Sequence, residues 1–395
     1  MSQNVILCLN SGSSSLKFAL YRLGETDEVL LAKGAVENIG MAQGRVWIRG
    51  PAEQKLIDRR CDFPTHVAAA TGIEESVRGL GLPAADAAGH RIVHGGPHHT
   101  SPQRVDAALL ADLRQLIPFA PLHMPSAIQG IEAVAARFSG LPQVVCFDTS
   151  FHRRMPHVAQ RLPLPREFWD QGIRRYGFHG LSYEYIVAVL GSAAQGRVII
   201  AHLGNGASLA AVLNGKPVDT TMGFTPTGGL MMGTRSGDLD PGVLIHLARE
   251  NAYDSARLDE VVNERSGLLG VSGMTSDMKA LLDARERERR AAEAVELFCY
   301  VLRKYIGAMA AALGGLDTLV FTGGIGERAA PVRWEVCEKL AYLGVELDAD
   351  RNARNAEIIS TPGSASAVRV TPTNEDLMIA RHTRVLLFTN VTTPA

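Results

Sequence analysis

Charge of one sign is missing from this 395-residue chain: 40 Lys and Arg stand against 41 Asp and Glu, a formal net charge of −1. No field exists to draw it to nucleic acid or to an acidic membrane. Cysteine is scarce, with five residues (Cys8, Cys61, Cys146, Cys299, Cys337) scattered and no Cys-x-x-Cys pair. Cys8 and Cys146 lie inside apolar runs, where a reduced, buried thiol is the expected state. Long apolar runs are lacking too, and none approaches the roughly 20 residues of a membrane span. A strand pattern begins by Val5, which leaves no room for a charged n-region and an apolar h-region, so a cytoplasmic protein is expected. The remainder is ordinary for a globular chain, 46% hydrophobic and 21% charged with 39 Gly and 19 Pro, and its length suits two or three domains.

What is present is an echo. Val5-Ile6-Leu7-Cys8-Leu9-Asn10-Ser11-Gly12-Ser13-Ser14-Ser15-Leu16-Lys17 matches Val198-Ile199-Ile200-Ala201-His202-Leu203-Gly204-Asn205-Gly206-Ala207-Ser208-Leu209 in register, Ser15 falling on Ser208. Each stretch is an apolar run, a tight turn of Gly, Asn and Ser, and a second apolar run. Small residues at such a turn let backbone N–H groups converge on an anion. Two copies half a chain apart predict a duplicated fold with a phosphate-holding hairpin in each half and a nucleotide's phosphates in the cleft between.

Short β-branched runs alternating with helical periods predict α/β architecture. Strands are expected at 4–9, 16–22, 144–147, 197–203, 208–213 and 317–322, and helices at 103–116, 125–138, 181–190, 241–250 and 288–313. Asn214-Gly215 signals a type I′ hairpin. The long last helix stops at Gly314-Gly315; the charge run Arg285 to Arg290 at its start reads as a solvated face. An inter-lobe crossover is placed near 148–152. Arg91 and His94 follow a strand-like run 84–89, Asp148 follows another, and Gly323-Gly324 a third. Ligands bind beyond strand ends in open α/β sheets, which gathers these residues toward one site.

Five motifs carry chemistry, each with a plainer alternative. Asn10, Ser13, Ser15 and Lys17 offer a carboxamide for Mg²⁺ and hydroxyls with a point charge for phosphate, against an ordinary polar turn. The Gly-x-x-x-x-Gly-Lys-Ser/Thr spacing of a P-loop is absent. Thr322-Gly323-Gly324-Ile325-Gly326-Glu327 is a glycine loop fit for close approach to a nucleotide, or simply a strand-to-helix connection. Arg235, within Gly233-Thr234-Arg235-Ser236-Gly237-Asp238, suits a clamp on a moving phosphoryl group or a surface arginine on a mobile loop. Four histidines within His90 to His99 invite zinc, yet Gly95-Gly96-Pro97 breaks a shared helical face and no carboxylate has the companion spacing. Arg91, with a planar fork for a carboxylate or phosphate, is the better candidate there. Asp148 and His179 complete the polar set; by themselves they read as a helix cap and a core histidine.

Taken in order, Asn10–Lys17, Gly89–Gly96, Phe147-Asp148-Thr149, Tyr176–Gly180, His202–Gly206, Gly233–Asp238, Thr322–Glu327 and Pro372-Thr373-Asn374-Glu375 closely resemble the acetokinase family from Val5 to about Arg384. The resemblance implies a two-lobed, duplicated actin-like (ribonuclease H-like) ATPase fold with an inter-lobe cleft. Residues 1–148 with the C-terminal segment 376–395 would form one lobe and 149–375 the other, and the chain would be a homodimer. It further implies reversible, Mg²⁺-dependent phosphoryl transfer from ATP to acetate by a direct in-line path, with Mn²⁺ as a substitute metal.

By the same resemblance Asn10 and Glu375 hold the metal, and Lys17 with Ser13 and Ser15 meets the ATP phosphates. His202, Leu203, Gly204, Asn205 and Gly206, Asp277, Met278 and Lys279, and Gly324, Ile325, Gly326, Glu327 and Arg328 form the nucleotide site. Arg91 holds the acetate carboxylate, while Val93, Leu122, Phe178 and Pro226 enclose its methyl group. Asp148 matches the family's catalytic acid residue, and His179 and Arg235 its transition-state stabilisers. Acetate is already a nucleophile at neutral pH, so Asp148 is expected to orient Arg91 or a metal-bound water rather than act as a base. Three positions depart from the family pattern: Arg328 and Met124 each stand in place of Asn, and Lys279 in place of Arg. The first and third put adenine and ribose contacts in doubt. The alternatives are a propionate or butyrate kinase with a wider pocket, and an actin-like nucleotide-binding module without a small substrate.

Overall fold

A computed structural model describes residues 3–25 and 27–389. The chain divides into two compact units, one taking the residues up to Ser150 and those from Asn374 onward, the other Phe151–Thr373.

In the first unit β1 (Asn4–Gly12), β2 (Ser15–Leu23), β3 (Glu28–Glu37), β4 (Arg45–Arg49) and β5 (Lys55–Arg60) form an antiparallel meander. β6 (Ala87–Ile92) and β8 (Gln143–Phe147) extend it parallel to β1, and β7 (Gln103–Arg104) closes the far edge, giving the order β5-β4-β3-β2-β1-β6-β8-β7. Alternation along β1 decides what each sheet face covers. Val5, Leu7 and Leu9 pack with Ala69, Ile73 and Val77 of α1 (His66–Gly79) and with Ala133 and Val134 of α3 (Met124–Arg137). Cys8, on the opposite face, donates its thiol to the Asp376 carbonyl at 3.1 Å, at the start of the C-terminal helix Glu375–Phe388. Gly89 is the cross-strand partner of Cys8, and a Cβ there would drive into Thr383 and Ile379 of that helix. A bare backbone is what lets the helix lie down on β6. The expected helix 103–116 is shorter: β7 takes its first residues, and Asp106 caps α2 (Ala107–Gln115) by accepting from Leu109 N at 2.8 Å.

The second unit contains β9 (Arg197–Leu203), β10 (Ala207–Leu213), β11 (Lys216–Thr220), β12 (Thr318–Thr322) and β13 (Ala367–Val370), in the order β11-β10-β9-β12-β13. β9 to β11 are antiparallel, while β12 and β13 run parallel to β9. Asn214 and Gly215 have φ of 51° and 72°, the two left-handed residues that a type I′ turn requires. Segment 151–179 carries only a 3₁₀ turn, α4 (His157–Gln160) and α5 (Arg166–Asp170). The remaining helices are α6 (Gly180–Leu190), α7 (Pro241–Glu250), α8 (Ser255–Glu264), α9 (Gly267–Ser272), α10 (Met278–Ala284), α11 (Arg289–Leu313), α12 (Gly323–Arg328), α13 (Ala330–Cys337) and α14 (Ala349–Ala353). α11 buries Val295, Phe298, Leu302, Ile306 and Met309 along one stripe and ends where Gly314 turns left-handed at φ 71°.

The inner five strands of the first sheet, β3-β2-β1-β6-β8, repeat the order and directions of β11-β10-β9-β12-β13. The predicted duplication is therefore one of topology. Its gap-free sequence register is not kept. Asn10 pairs with Lys17, and continuous spacing would pair Leu203 with Ala210; the partner of Leu203 is Ala207. β1 runs on to Gly12 and turns at Ser13-Ser14, whereas β9 stops at Leu203 and turns through Gly204-Asn205-Gly206, so the second hairpin is cut short at its tip. Among the described residues no helix is long and apolar enough to cross a membrane.

Candidate active site

In the first unit Arg91 belongs to β6 itself rather than following it, as the strand runs to Ile92. Asp148 N donates to Ile92 O at 2.9 Å, extending the β6–β8 ladder by one bond and fixing the carboxylate beside the guanidinium. Arg91 Nε lies 3.0 Å and Nη2 2.5 Å from Asp148 Oδ2, with Nε 3.6 Å from Glu375 Oε2. The Asp148 side chain is wholly buried and that of Arg91 is 18% exposed. Burial alone would weaken the guanidinium's hold on its proton; the negative charges of Asp148 and Glu375 outweigh it and raise the pKa above the ordinary arginine value. One edge of the fork is thus spent on protein carboxylates.

Asn10 and Lys17 are cross-strand partners two pairs from the turn of the β1–β2 hairpin, and Asn10 shares a strand face with Cys8. The thiol contact of Cys8 sets the first turn of the C-terminal helix, and hence Glu375, against that face. The helix is capped by Asn374, whose Oδ1 accepts from Leu377 N and from the Tyr21 hydroxyl, both at 3.0 Å. Burial and the charge of Glu375 push the neighbouring Asp376 carboxyl up to about 6, against Arg91, Lys17 and Lys33. A carboxamide and a carboxylate oxygen on adjoining elements are hard donors that fit a Mg²⁺ ion. The hairpin tip is latched from three sides. His66 Nε2 donates to Gly12 O at 2.9 Å, Ser126 Oγ to Ser11 O at 3.4 Å and Ile39 N to Ser14 O at 2.9 Å. Ser13 is exposed and Ser15 half-buried. Val93 packs against the cluster of Ile92, Leu116 and Phe147, while Leu122 is 44% exposed ahead of α3.

In the second unit His179 caps the start of α6 in the left-handed conformation, φ 57° and ψ 26°. Its ring stacks on His202 at 4.3 Å between centroids. Its Nδ1 is 2.8 Å from Ser208 Oγ, and His202 Nδ1 is 2.8 Å from Ser182 Oγ. Arg235 reaches the same place from a loop that is not mobile in form: Gly229 N donates to Asp238 Oδ1 at 2.7 Å and Asp238 N to Gly229 O at 2.9 Å, closing its neck. Gly233 N donates to Asn205 O at 3.0 Å, tying the loop to the hairpin tip, and Arg235 Nη1 donates to Pro226 O at 2.9 Å. A Cβ built on Gly206 would stand 3.3 Å from His179 Nε2 and 3.5 Å from Arg235 Nη1. Two donor heads therefore converge over one glycine.

The parallel pairing of Thr322 with His202 brings the glycine loop to the same sheet end. Gly323, at φ 77°, sits against the Leu203 backbone, and Gly324 is exposed with open space where a side chain would be. Glu327 turns inward, its Oε1 accepting from Gly323 N at 3.0 Å and Thr373 N at 3.4 Å, which makes it a brace for this loop. Arg328 is exposed. Asp277 is the cap of α10, accepting from Lys279 N at 3.1 Å; Met278 is buried, and Asp277 and Lys279 are exposed. Phe178 is 1% exposed, so its ring is core and its carbonyl takes the Nε2–H of His152 at 3.0 Å. Of the four histidines clustered between His90 and His99, three have separate partners: His90 bonds Gln143 at 2.7 Å, His94 Nδ1 accepts from Gly96 N at 2.8 Å and His99 bonds Gln103 at 2.9 Å. Sequence reasoning passed over Ser208, Tyr183, Ser182 and His66. Only Ser208 carried any signal, as the echo of Ser15.

The acetokinase family profile matches residues 5–381. An acetate kinase of Rhodopseudomonas palustris is 45% identical over 96% of this chain and 97% of its own, and one of Methylocella silvestris 45% identical over 97% and 98%. Among solved structures, Porphyromonas gingivalis acetate kinase superposes with a TM-score of 0.88 at 39% identity, covering 97% of this chain and all of its own. A propionate kinase from Francisella tularensis gives 0.90 at 36% identity, covering 97% and 99%. The two sheets of like topology are those of a duplicated actin-like ATPase fold. With the profile spanning nearly the whole sequence, the chain belongs to the acetokinase family.

Proposed function

We propose that this chain is a phosphotransferase with a carboxyl group as acceptor, carrying phosphoryl reversibly between ATP and acetate to give acetyl phosphate and ADP. The observation that carries the reading is the convergence of His179 Nε2 and Arg235 Nη1 over Gly206. Moving phosphoryl onto a carboxylate passes through an in-line, metaphosphate-like state, and repulsion between the two anions is the chief obstacle. Fixed donors aimed at that group lower the barrier without reorganising during reaction.

Arg91 is the proposed acetate holder, with the edge of its fork not engaged by Asp148 left for the substrate carboxylate. Asp148 is a positioning group and not a base, because acetate needs no deprotonation and the Asp148 oxygens already accept from Arg91. Asn10 and Glu375 would hold Mg²⁺, which when bound neutralises phosphate charge, and Lys17 adds a point charge from the facing strand. The hairpin tip His202–Gly206, the turn Gly324–Arg328 with its open backbone at Gly324, and the start of α10 at Asp277–Lys279 would receive the nucleotide. Arg328 and Lys279, both exposed, would supply charge where the family has Asn and Arg. Val93, Leu122 and Pro226, with Phe178 as core backing, would set acid size.

A homodimer is the proposed assembly, supported by the apolar side chains of Leu239, Val243 and Ile245, which are 44–50% exposed at the entry to α7 and on two of its faces. A cytoplasmic location fits the sequence composition. One methylene is worth only roughly 1–3 kcal/mol in such a pocket, so propionate should be a slower substrate and butyrate a poor one. Trapping acyl phosphates as hydroxamates and comparing kcat/KM for the three acids tests this. Acetate should rank first; a preference for propionate would reassign the substrate.

A further inference from the structure

Behind His179 lies a dry chain of hydroxyls. Ser208 Oγ is 2.8 Å from His179 Nδ1 and 2.5 Å from the Tyr183 hydroxyl. Ser208 and Tyr183 are both 0% exposed, so no bulk water competes for these bonds. Tyr183 meets His152 edge-to-face at 5.6 Å between ring centroids and tilts on Phe151 at 5.9 Å, which fixes the phenol in place. His152 is itself buried, its pKa pushed down to about 4, so it is neutral at pH 7 and gives its Nε2 proton to the Phe178 carbonyl. That bond secures the residue just ahead of the left-handed turn at His179. On its other side the His179 ring lies nearly parallel to His202, at 22°, and is held from rotating.

We propose that Ser208, backed by Tyr183, is a positioning residue that keeps His179 in the tautomer bearing its proton on Nε2. A serine hydroxyl has one proton to give and lone pairs to receive. A phenol is the stronger donor of the two hydroxyls, so Tyr183 gives to Ser208 Oγ and the Ser208 proton goes to Nδ1. An Nδ1 that accepts leaves the neutral ring's proton on Nε2, the nitrogen beside Gly206 and Arg235. Only that tautomer can donate to a phosphoryl oxygen; the other would face the anion with a lone pair. The assignment deepens the kinase reading and rests on it for the identity of the anion.

The test uses the full chain with ¹⁵N-labelled histidine. Long-range ¹H–¹⁵N correlations report which ring nitrogen carries the proton, and the His179 signal is identified by its loss in His179→Gln. Nε2–H is expected in the unsubstituted chain and a mixture of tautomers in Ser208→Ala. Hydroxamate turnover by Ser208→Ala should fall roughly 10- to 100-fold in kcat with KM for acetate within about twofold, short of the 10²–10³ that outright loss of one such donor costs. Tyr183→Phe removes a single oxygen, and should move the tautomer in the same direction with a smaller fall in kcat. His179 protonated on Nδ1 in the unsubstituted chain, or a tautomer unchanged in both variants, overturns the relay. Absence of acetyl phosphate with the tautomer switch intact overturns the kinase reading and leaves the relay standing.

Discussion

Arg91 and Asp148 show how a single pair can serve both stability and chemistry. A buried carboxylate is tolerable only while its partner is present; deleting one member strands the other in a medium that solvates it poorly. Arg91→Ala should therefore destabilise the first unit by about 3–5 kcal/mol in urea unfolding, besides abolishing turnover. A loss below about 1 kcal/mol would show that Asp148 is solvated, contrary to its complete burial. Arg235, whose Nη1 donates to the Pro226 carbonyl, is read through its effect on turnover. Arg235→Ala should cost on the order of 10³-fold in kcat, by analogy with arginine clamps generally. A fall of less than tenfold would remove it from the phosphoryl path. Arg91, Asp148 and His179 stood out in sequence only through the company of neighbouring motifs and the family resemblance, which drew them into the candidate site. Ser208 and Tyr183 did not: what makes them matter is a contact with His179 across 29 residues of chain, chosen by how β10 packs on α6.

Neighbouring elements are joined by buried neutral histidines, and this gives each unit an acid sensitivity. His90 ties β6 to Gln143 of β8, and burial pushes its pKa down to about 4, as it does for His152. An unfolded histidine titrates near 6.5, so between that pH and about 4 the unfolded chain binds more protons than the native one. The stabilisation is whole above pH 6.5 and drains away as pH falls, by about 2 kcal/mol per histidine at pH 5. Urea midpoints should drop between pH 7 and pH 5, and His90→Gln should flatten part of that drop. A midpoint independent of pH in the unsubstituted chain would contradict the burial of both rings. The strands and longer helices were legible from periodicity. The length of each hairpin was not, because the turn after Leu203 is set by how Gly323 fits against the Leu203 backbone, a contact between segments far apart in sequence. The meander β3 to β5 was also missed: its outer strand is mostly exposed, with little apolar alternation to read.

Across the whole molecule, two sheets with the same inner strand order carry different loads. The first brings the buried Arg91–Asp148 pair and a latched hairpin; the second brings His179 and Arg235 together over Gly206, beside the glycine loop at Gly323. The echo of the two hairpins made the duplication visible in sequence, although the strand pairing that realises it differs at the tips. The proposed homodimer is testable at this scale: light scattering should give a dimer's mass for the unsubstituted chain and a monomer's for Val243→Glu with Ile245→Glu, while a monomeric unsubstituted chain would overturn the assembly. The central claim is that phosphoryl passes directly from ATP to a small carboxylate, with no covalent enzyme intermediate. ATP made chiral at the γ-phosphorus by oxygen isotopes, turned over with acetate, measures this most directly. A single in-line transfer predicts acetyl phosphate with inverted configuration at phosphorus; retention would require a phosphorylated residue on the path and would contradict the account.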